Sequence, residues 1–197
     1  MALRYFLYRI IAFCGLIFLI PVLCVLYIIV KLDSKGPFIF TQKRMGKGKK
    51  PFTLYKIRTM VVGAEKQQKK LLHLNEVDGP VFKIRHDPRY TKVGKKLSHY
   101  ALDEILQLIN VMRGEMSLIG PRPLPMEEAL LIPKQYQARF SVLPGMTSEW
   151  IVKGAHDIPF DKWMKMDVEY AKNPSFGKDI KIFIDTSLLI IKLLIKR

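Results

Sequence analysis

Residues 10–30, IIAFCGLIFLIPVLCVLYIIV, decide the fold, because they form a run of 21 residues without a charged side chain. A straight helix of this length covers roughly 30 Å, the thickness of the hydrocarbon core of a bilayer. Pro21 stands at the centre of the run, where it removes a backbone hydrogen bond and bends the helix. Basic residues flank both ends: Arg4 and Arg9 before the run, and Lys31, Lys35, Lys43 and Arg44 after it.

The flanking charges bear on how this segment meets a membrane. Basic residues prefer the cytoplasmic side, so both ends of the segment are expected there. A helix that enters the bilayer, bends at Pro21 and returns satisfies that expectation. An ordinary single-pass anchor with a tolerated proline is the alternative, and on the residues alone both arrangements stay open. We take residues 1–34 as the membrane part and residues 35–197 as one further domain.

The composition points to an anionic partner. The 197-residue chain has 33 Lys and Arg against 17 Asp and Glu, a formal charge of +16. Such a surplus suits nucleic acid, anionic lipid or phosphorylated substrates. The basic run at 43–50 contains no aromatic residue on which bases would stack, and the apolar residues concentrate in one segment. We therefore expect anionic membrane lipid and no nucleic acid, and keep a membrane-tethered nucleic-acid-binding protein as an alternative.

Short elements follow the apolar segment. Strands are predicted at 38–41 and 52–57 around a basic glycine-containing turn, and helices at 63–74, 97–112, 126–140 with an interruption near Pro133, 160–171 and 180–196. Residues 120–125 should form a stiff loop, and Pro144-Gly145 a turn. The last helix is strongly apolar with a basic end, so we favour a position along the bilayer surface over one in the core. The pattern predicts a mostly helical α+β fold, with small strand elements and interfacial amphipathic helices.

Asp103-Glu104 is the first candidate for chemistry. Adjacent carboxylates on a helix point about 100° apart, so they serve one site in different roles without sharing a proton. In a first helical turn the dipole would favour their ionised forms. An ionised Asp is a competent nucleophile towards phosphorus and also a magnesium ligand. A solvated acidic pair is the simpler interpretation.

Cations supply the second set of candidates. Prolines on both sides of Arg122 restrict its backbone, and a guanidinium held in this way suits bidentate phosphate recognition. Lys56 and Arg58 share a face by strand alternation and could hold a diphosphate. The alternatives are a loop arginine that caps a helix and a solvated basic face. No Walker A, G-x-G-x-x-G or G-x-S-x-G motif occurs.

Together these residues resemble the small monotopic phosphoglycosyl transferases, also called bacterial sugar transferases. The resemblance runs from about Arg4 to the end of the chain, and its most specific part is Asp-Glu followed at this spacing by G-P-R-P. The motifs that carry it are GPFIFTQ at 36–42 with Arg44, YKIRTM at 55–60, DPR at 87–89, LDE at 102–104, GEMSLIGPRP at 114–123, PGMT at 144–147 and DVEY at 167–170.

The resemblance implies a two-step reaction on the cytoplasmic face of the bacterial inner membrane. A sugar 1-phosphate would pass from a UDP-sugar to polyprenyl (undecaprenyl) phosphate with release of UMP, through a covalent phosphosugar on Asp103. Glu104 would be the essential partner and Mg²⁺ would bridge Asp103 and the diphosphate. The membrane break would lie at Pro21, with a re-entrant topology, and we allow for a homodimer. The substrate-binding candidates are Lys56, Arg58, Arg44, Arg89, Pro121, Arg122 and Pro123.

Two departures from the family pattern bear on substrate binding and one on the bend of the membrane helix. Ser98-His99-Tyr100-Ala101 replaces a segment that usually carries arginine and serine, Ile20 stands where serine is usual before Pro21, and Ile151 and Ala155 replace Gln and Arg. The departures leave the sugar and the glycan pathway undecided. They also motivate a second alternative, a catalytically inactive membrane scaffold.

Overall fold

The N-terminal segment is a broken helix. The computed structural model describes residues 2–195, and within it α1 (Ala2–Phe18) and α2 (Ile20–Asp33) meet at Leu19 with a bend of 59°. Pro21 lies in the first turn of α2, where a missing N–H costs little, so the break precedes the proline by two residues. Among residues 2–195 no single helix is long and apolar enough to cross a membrane, although the bent pair passes on length and composition.

Both N-terminal helices pack on the rest of the chain through one face each. Tyr8 and Ala12 of α1 join a cluster with Phe52, Leu54 and Val111. Leu26 and Val30 of α2 join a second cluster with Ile57, Leu97 and Leu106. Their other faces are apolar and exposed. The helices α1 and α2 therefore share a core with the elements that follow, and the boundary at 34/35 stays a prediction.

Two small sheets position the loops. β1 (Ile39–Met45) pairs antiparallel with β2 (Pro51–Ile57), and the turn between them holds the basic residues. This confirms the predicted hairpin, although β1 extends further into the basic run. β3 (Ser117–Ile119) pairs parallel with β4 (Gly145–Thr147), a sheet that was not expected.

The predicted turn at Pro144-Gly145 is wrong, because Gly145 begins β4. A Cβ on Gly145 would lie 2.0 Å from the backbone nitrogen of Gly120. Glycine is therefore required here for the close approach of two strands, not for a turn.

The predicted helix at 97–112 is also wrong, because it is interrupted. α4 (Lys92–His99) ends before Ala101, whose φ of +54° is left-handed, and a 3₁₀ turn, Leu102–Glu104, leads into α5 (Gln107–Met112). A left-handed residue ends a helix whatever the apolar period around it. Asp103 and Glu104 therefore lie in a tight turn between two helices.

The remaining helices lie mostly where they were predicted. α3 (Ala64–Gln67) continues as a 3₁₀ turn, Gln68–Leu74, and α6 (Met126–Leu130) is separated near Pro133 from a 3₁₀ segment, Lys134–Ser141. α7 (Glu149–Val152) and α8 (Phe160–Lys172) bring Trp150 and Trp163 together as a stacked pair in the largest core cluster. α9 (Phe176–Ile195) begins four residues earlier than predicted, and Lys196 lies outside the described residues.

Candidate active site

Asp103 and Glu104 converge on one ammonium group. The Nζ of Lys56, on β2, donates to Oδ2 of Asp103 at 3.2 Å and to Oε1 of Glu104 at 2.7 Å. The Asp103 side chain is almost completely buried, and those of Glu104 and Lys56 are mostly so. A shared ammonium therefore holds the two adjacent carboxylates at one place, which the simpler interpretation of a solvated pair does not explain.

Asn110 fixes the distance between the carboxylate turn and β2. Its Oδ1 accepts from the backbone nitrogen of Tyr55 at 3.1 Å, and its Nδ2 donates to the carbonyl of Thr53 and to Glu115, both at 2.7 Å. The side chain is fully buried, so water does not compete for these hydrogen bonds. Asn110 thereby ties α5 to the strand that carries Lys56. This role of Asn110 was not predicted from the sequence.

Arg122 is the second cation that binds this carboxylate pair. Its Nη2 donates to Oε1 of Glu104 at 3.1 Å, so Glu104 is bound by two cations and Asp103 by one. The backbone of Arg122 is held as well, because its carbonyl accepts from Nη2 of Arg139 at 2.8 Å, and Arg139 forms a buried ion pair with Asp167.

The two prolines around Arg122 are held through their carbonyl groups. Pro121 accepts from the backbone nitrogen of Gly145 at 3.0 Å, and Pro123 accepts from Nη1 of Arg44, also at 3.0 Å. The loop is therefore stiff for two reasons: proline geometry and hydrogen bonds to both flanks. This confirms the predicted stiff loop at 120–125.

The two carboxylates have opposite pKa shifts. Burial alone would raise the pKa of Glu104, but the Lys56 and Arg122 cations outweigh it and hold the pKa at about 2. Burial raises the pKa of Asp103, Lys56 opposes the rise, and the charge of Glu104 adds to it. Glu104 is thus a permanent anion, whereas Asp103 is the more basic carboxylate and the better nucleophile once it is ionised.

Arg44 lies beside this site. Burial and the nearby Arg122 cation lower its pKa to about 10, which places the two guanidinium groups within each other's field. Its Nε is buried and has no hydrogen-bond partner among residues 2–195. The prediction of Arg44 as a site residue is therefore compatible with its position, although its one hydrogen bond positions the Pro123 loop.

Arg58 and Arg89 are held elsewhere. Arg58 uses Nε, Nη1 and Nη2 on Pro37 and Ser34 at 2.6–2.9 Å, and thus closes the connection from α2 to β1. Arg89 forms a buried ion pair with Asp87 and also donates to the carbonyl of Ala64. Both side chains are more than nine-tenths buried. The structure therefore does not bring either arginine to Asp103, and the strand alternation that paired Arg58 with Lys56 stops at the end of β2.

Sequence analysis missed Lys83. Its ammonium lies 4.4 Å from the ring centroid of Trp150, and the guanidinium of Arg122 lies 6.0 Å from the same ring. Lys83 follows the Asp78-Gly79-Pro80 turn signal, but nothing in that pattern indicates which neighbours the turn will face. Only the folded position of Trp150 brings it to the site.

The donor atoms suit a metal that is shared with a substrate. Among the described residues, no three His, Cys, Asp or Glu side chains form a metal-binding cluster. Oδ1 of Asp103 and Oε2 of Glu104 make no hydrogen bond with any residue in 2–195. Mg²⁺ usually takes one or two carboxylates and completes its coordination with water and substrate phosphates. The two free carboxylate oxygens fit that arrangement.

Comparison with known proteins places this site in a family. The model of the family described as bacterial sugar transferase matches residues 2–193. The chain belongs to the bacterial sugar transferase family. It is 39% identical to a galactosyl transferase, CpsE, of Streptococcus agalactiae over 88% of its own length and 37% of that protein's. It is 34% identical to the undecaprenyl-phosphate galactose phosphotransferase of Salmonella typhimurium, over 91% and 39% of the two chains.

Family members differ in length. The chain spans little more than a third of those two relatives, at 37% and 39% of their lengths. It covers 80% of the exopolysaccharide production protein ExoY of Sinorhizobium fredii, to which it is 31% identical over 89% of its own length. Family membership therefore rests on nearly the whole of this chain.

Proposed function

We propose that this protein is a phosphoglycosyl transferase that moves a sugar 1-phosphate from a UDP-sugar to polyprenyl phosphate and releases UMP. The observation that carries the proposal is the buried Asp103-Glu104 pair, which binds Lys56 and Arg122 in a chain of the bacterial sugar transferase family. Relatives with names that specify undecaprenyl phosphate and a hexose support the choice of acceptor and donor. Such a transfer would start the assembly of a glycan on its lipid carrier.

In the first step, an oxygen of Asp103 attacks the sugar-linked phosphorus of the donor. A bond forms between the carboxylate oxygen and phosphorus, and the bond from phosphorus to the bridging oxygen breaks. The electron pair stays on that oxygen, which leaves as part of UMP. Oδ1 of Asp103 is the oxygen without a hydrogen bond among residues 2–195, so Lys56 can keep its contact with Oδ2 during the attack. The guanidinium of Arg122 and the ammonium of Lys56 bind phosphate oxygens and offset the charge that develops.

In the second step, a phosphate oxygen of polyprenyl phosphate attacks the same phosphorus. The new P–O–P linkage forms as the bond to Asp103 breaks, and the carboxylate is regenerated. Glu104 keeps its charge throughout, because its pKa is held near 2. It therefore anchors Lys56 and Arg122 in both steps and takes up no proton.

Mg²⁺ is the cofactor that we propose, with Asp103 and Glu104 as its protein ligands. When bound, it supplies charge neutralisation on the diphosphate and thereby makes phosphorus easier to attack. The free oxygen Oε2 of Glu104 supports this assignment, whereas Oδ1 of Asp103 is the oxygen kept for the attack on phosphorus. Lys56 and Arg122 keep their roles of orientation and charge balance beside the metal.

We propose a monotopic position on the cytoplasmic face of the inner membrane, with α1 and α2 re-entrant. The 59° bend and the apolar outer faces of both helices support it. α9 also exposes a row of large apolar side chains, which supports contact with the bilayer surface. They are Phe176, Ile180, Phe183, Ile184, Leu188, Ile191 and Leu194. The charge of Arg4 is weaker support for this topology than the sequence indicated, because Arg4 is buried in an ion pair with Asp179.

A panel of UDP-sugars tests the proposal. The full chain in detergent or nanodiscs is incubated with each UDP-sugar, undecaprenyl phosphate and Mg²⁺, and both UMP and radiolabelled lipid are measured. At least one sugar should give UMP and labelled lipid in equal amounts. If every sugar leaves both products at background, the inactive scaffold is the correct alternative. Tight, salt-sensitive binding of nucleic acid without transfer would favour the nucleic-acid-binding alternative.

A further inference from the structure

Lys83 stands at the end of a tightly built loop. The side chain of Asn75 accepts from the backbone nitrogen of Lys83 at 2.7 Å and donates to the carbonyls of Val77 and Val81 at 2.9 and 3.0 Å. The carbonyl of Lys83 accepts from the backbone of Glu76 at 2.9 Å. One asparagine thus closes the loop from 75 to 83 and fixes the backbone of Lys83.

The same loop is anchored in the largest core cluster. Val81 is buried there with Trp150, Trp163 and Phe160. Gly79, with a φ of +80°, packs so closely on Phe160 that a Cβ would lie 2.7 Å from its ring. The loop therefore cannot lift away without opening the core, and Lys83 leaves it at a defined place.

That place is the face of Trp150, which Lys83 shares with Arg122. The Lys83 ammonium is 4.4 Å and the Arg122 guanidinium 6.0 Å from the ring centroid. Trp150 is itself stacked on Trp163, with ring centroids 4.1 Å apart. The stacked Trp150 ring thus has two cations beside it, one of which, Arg122, also binds Glu104.

Lys83 has no anionic partner of its own. Within residues 2–195 its ammonium makes neither a hydrogen bond nor an ion pair, although the side chain is half-buried. Burial and the Arg122 and Arg85 cations lower the pKa of Lys83 to about 7, so the protein alone disfavours the charge at this position. The two carboxylates nearby are already bound by Lys56 and Arg122. A bound phosphate would therefore favour the charged form of Lys83.

We propose that Lys83 binds substrate phosphate together with Arg122, as a further substrate-binding residue beside the carboxylate pair. Two cations beside the same aromatic ring suit the oxygens of a phosphate group, which accept charge-assisted hydrogen bonds from both. The inference rests on the proposed function for the identity of the substrate. The phosphate could belong to the nucleotide-sugar or to the lipid acceptor, and the experiment separates them.

The first test is kinetic and uses Lys83→Met, Lys83→Arg and, as the control, Lys95→Met on the exposed face of α4. Lys83→Met should raise KM at least tenfold for one substrate, with kcat changed less than threefold. Lys83→Arg should recover most of that loss, and Lys95→Met should match the parent. The donor is tested by UMP release at saturating acceptor, and the acceptor by lipid product at saturating donor.

A second test uses the parent chain and needs no variant to fold. Acetylation of Lys83 by a limiting reagent is followed by peptide mass spectrometry, with Lys95 as the internal reference. UDP as a probe should protect Lys83 if the phosphate comes from the donor, and dodecyl phosphate should protect it if it comes from the acceptor. Uridine should not protect it.

The outcomes separate the two proposals. Protection by neither phosphate probe, with both KM values of Lys83→Met within twofold of the parent, overturns the role of Lys83 even in an active enzyme. A chain that transfers no sugar phosphate but still shows protection by UDP would overturn the proposed function and leave the phosphate-binding role standing. A lower melting temperature of Lys83→Met with unchanged KM values would indicate a structural lysine and would also overturn the role.

Discussion

Two buried carboxylate clusters in this protein differ in how completely their carboxylate oxygens are hydrogen-bonded. At Asp179, on α9, the hydroxyl groups of Tyr8 and Tyr170 each donate at 2.6 Å, one to each carboxylate oxygen, and Arg4 lies 3.1 Å away. At Asp103 and Glu104, two carboxylates share Lys56, and Arg122 binds Glu104 alone. Each carboxylate keeps an oxygen without a hydrogen bond among residues 2–195.

The difference separates a structural ion cluster from a reactive one. The Asp179 carboxylate is closed: both of its oxygens are bound, by one cation and two neutral donors, and only 1% of Asp179 is exposed. Its contacts join α1, α8 and α9, although Nε of Arg4 has no partner among residues 2–195. The Asp103 cluster is open, with Arg44 and Lys83 adding cations to its edge. A closed cluster stabilises the fold, whereas an open one leaves capacity for a charged substrate.

The largest effect is expected from Asp103→Asn. The amide keeps the shape but lacks the nucleophilic oxygen, so UMP release from UDP-sugars should fall by about 10³-fold or more. Stability should be unchanged or higher, since burial disfavours the charged form of Asp103. Asp185→Asn, a half-buried position on α9, is the matched control and should keep parental activity. Near-normal turnover in Asp103→Asn would show that Asp103 is not the nucleophile.

The matching change in the closed cluster, Asp179→Asn, should act in the opposite sense. It leaves the buried Arg4 cation without its counter-charge, so the free energy of unfolding should fall by about 3 kcal/mol. Turnover per folded molecule should change less than threefold, because none of the cluster touches Asp103. The measurements are the denaturation midpoint in detergent and kcat at low temperature. A stable but inactive variant would show that the two clusters are coupled.

Arg122→Lys should have a smaller effect that distinguishes shape from charge. Lysine keeps the cation but loses the planar fork that reaches Glu104 and phosphate together, so kcat/KM should fall about 10- to 50-fold. The denaturation midpoint should stay within a few degrees of the parent. Lys134→Arg, at an exposed position, is a control for lysine and arginine exchange in general. A loss of less than twofold in Arg122→Lys would mean that Arg122 acts only through its charge.

The smallest effect concerns pH and the open edge of the site. The pKa of Lys83 lies at about 7, lowered by burial, Arg122 and Arg85 against the opposing charges of Glu104 and Asp157. Below pH 7 the ammonium is charged and binds phosphate; above pH 7 it loses its proton. The kcat/KM for the substrate that it binds should therefore fall by up to about tenfold per pH unit above 7. Lys83→Arg should abolish this limb, and a limb that persists in it would belong to another group.

The residues that could be predicted are those with a local pattern. Asp103-Glu104, Lys56 and the proline-restrained Arg122 were identified from sequence and do meet in space, and the hairpin and the bent N-terminal helix also agree. The interrupted helix at 97–112 could not be predicted, because the apolar period passes unchanged through the left-handed Ala101. Strands of three residues, such as β3 and β4, carry no period at all.

The sequence did not indicate which of the candidate cations lie at the Asp103-Glu104 site. Arg58 and Arg89 were substrate-binding candidates together with Arg122, but their partners, Ser34 and Asp87, are set by how loops close in the fold. Lys83 was not singled out from the sequence, and only its place beside Trp150 in the fold identifies it. Roles that depend on which charges are already paired require tertiary structure.

Detection of the covalent intermediate most directly tests whether the Asp103 cluster is reactive and the Asp179 cluster structural. The parent chain is mixed with an accepted UDP-sugar and Mg²⁺ without polyprenyl phosphate, quenched, and analysed by peptide mass spectrometry. We expect one sugar phosphate on the peptide that contains Asp103, formed with an equal amount of UMP. The added mass should be absent in Asp103→Asn and should disappear when polyprenyl phosphate is added. UMP release that requires the acceptor, with no added mass on Asp103, would contradict it and indicate direct transfer between the two substrates.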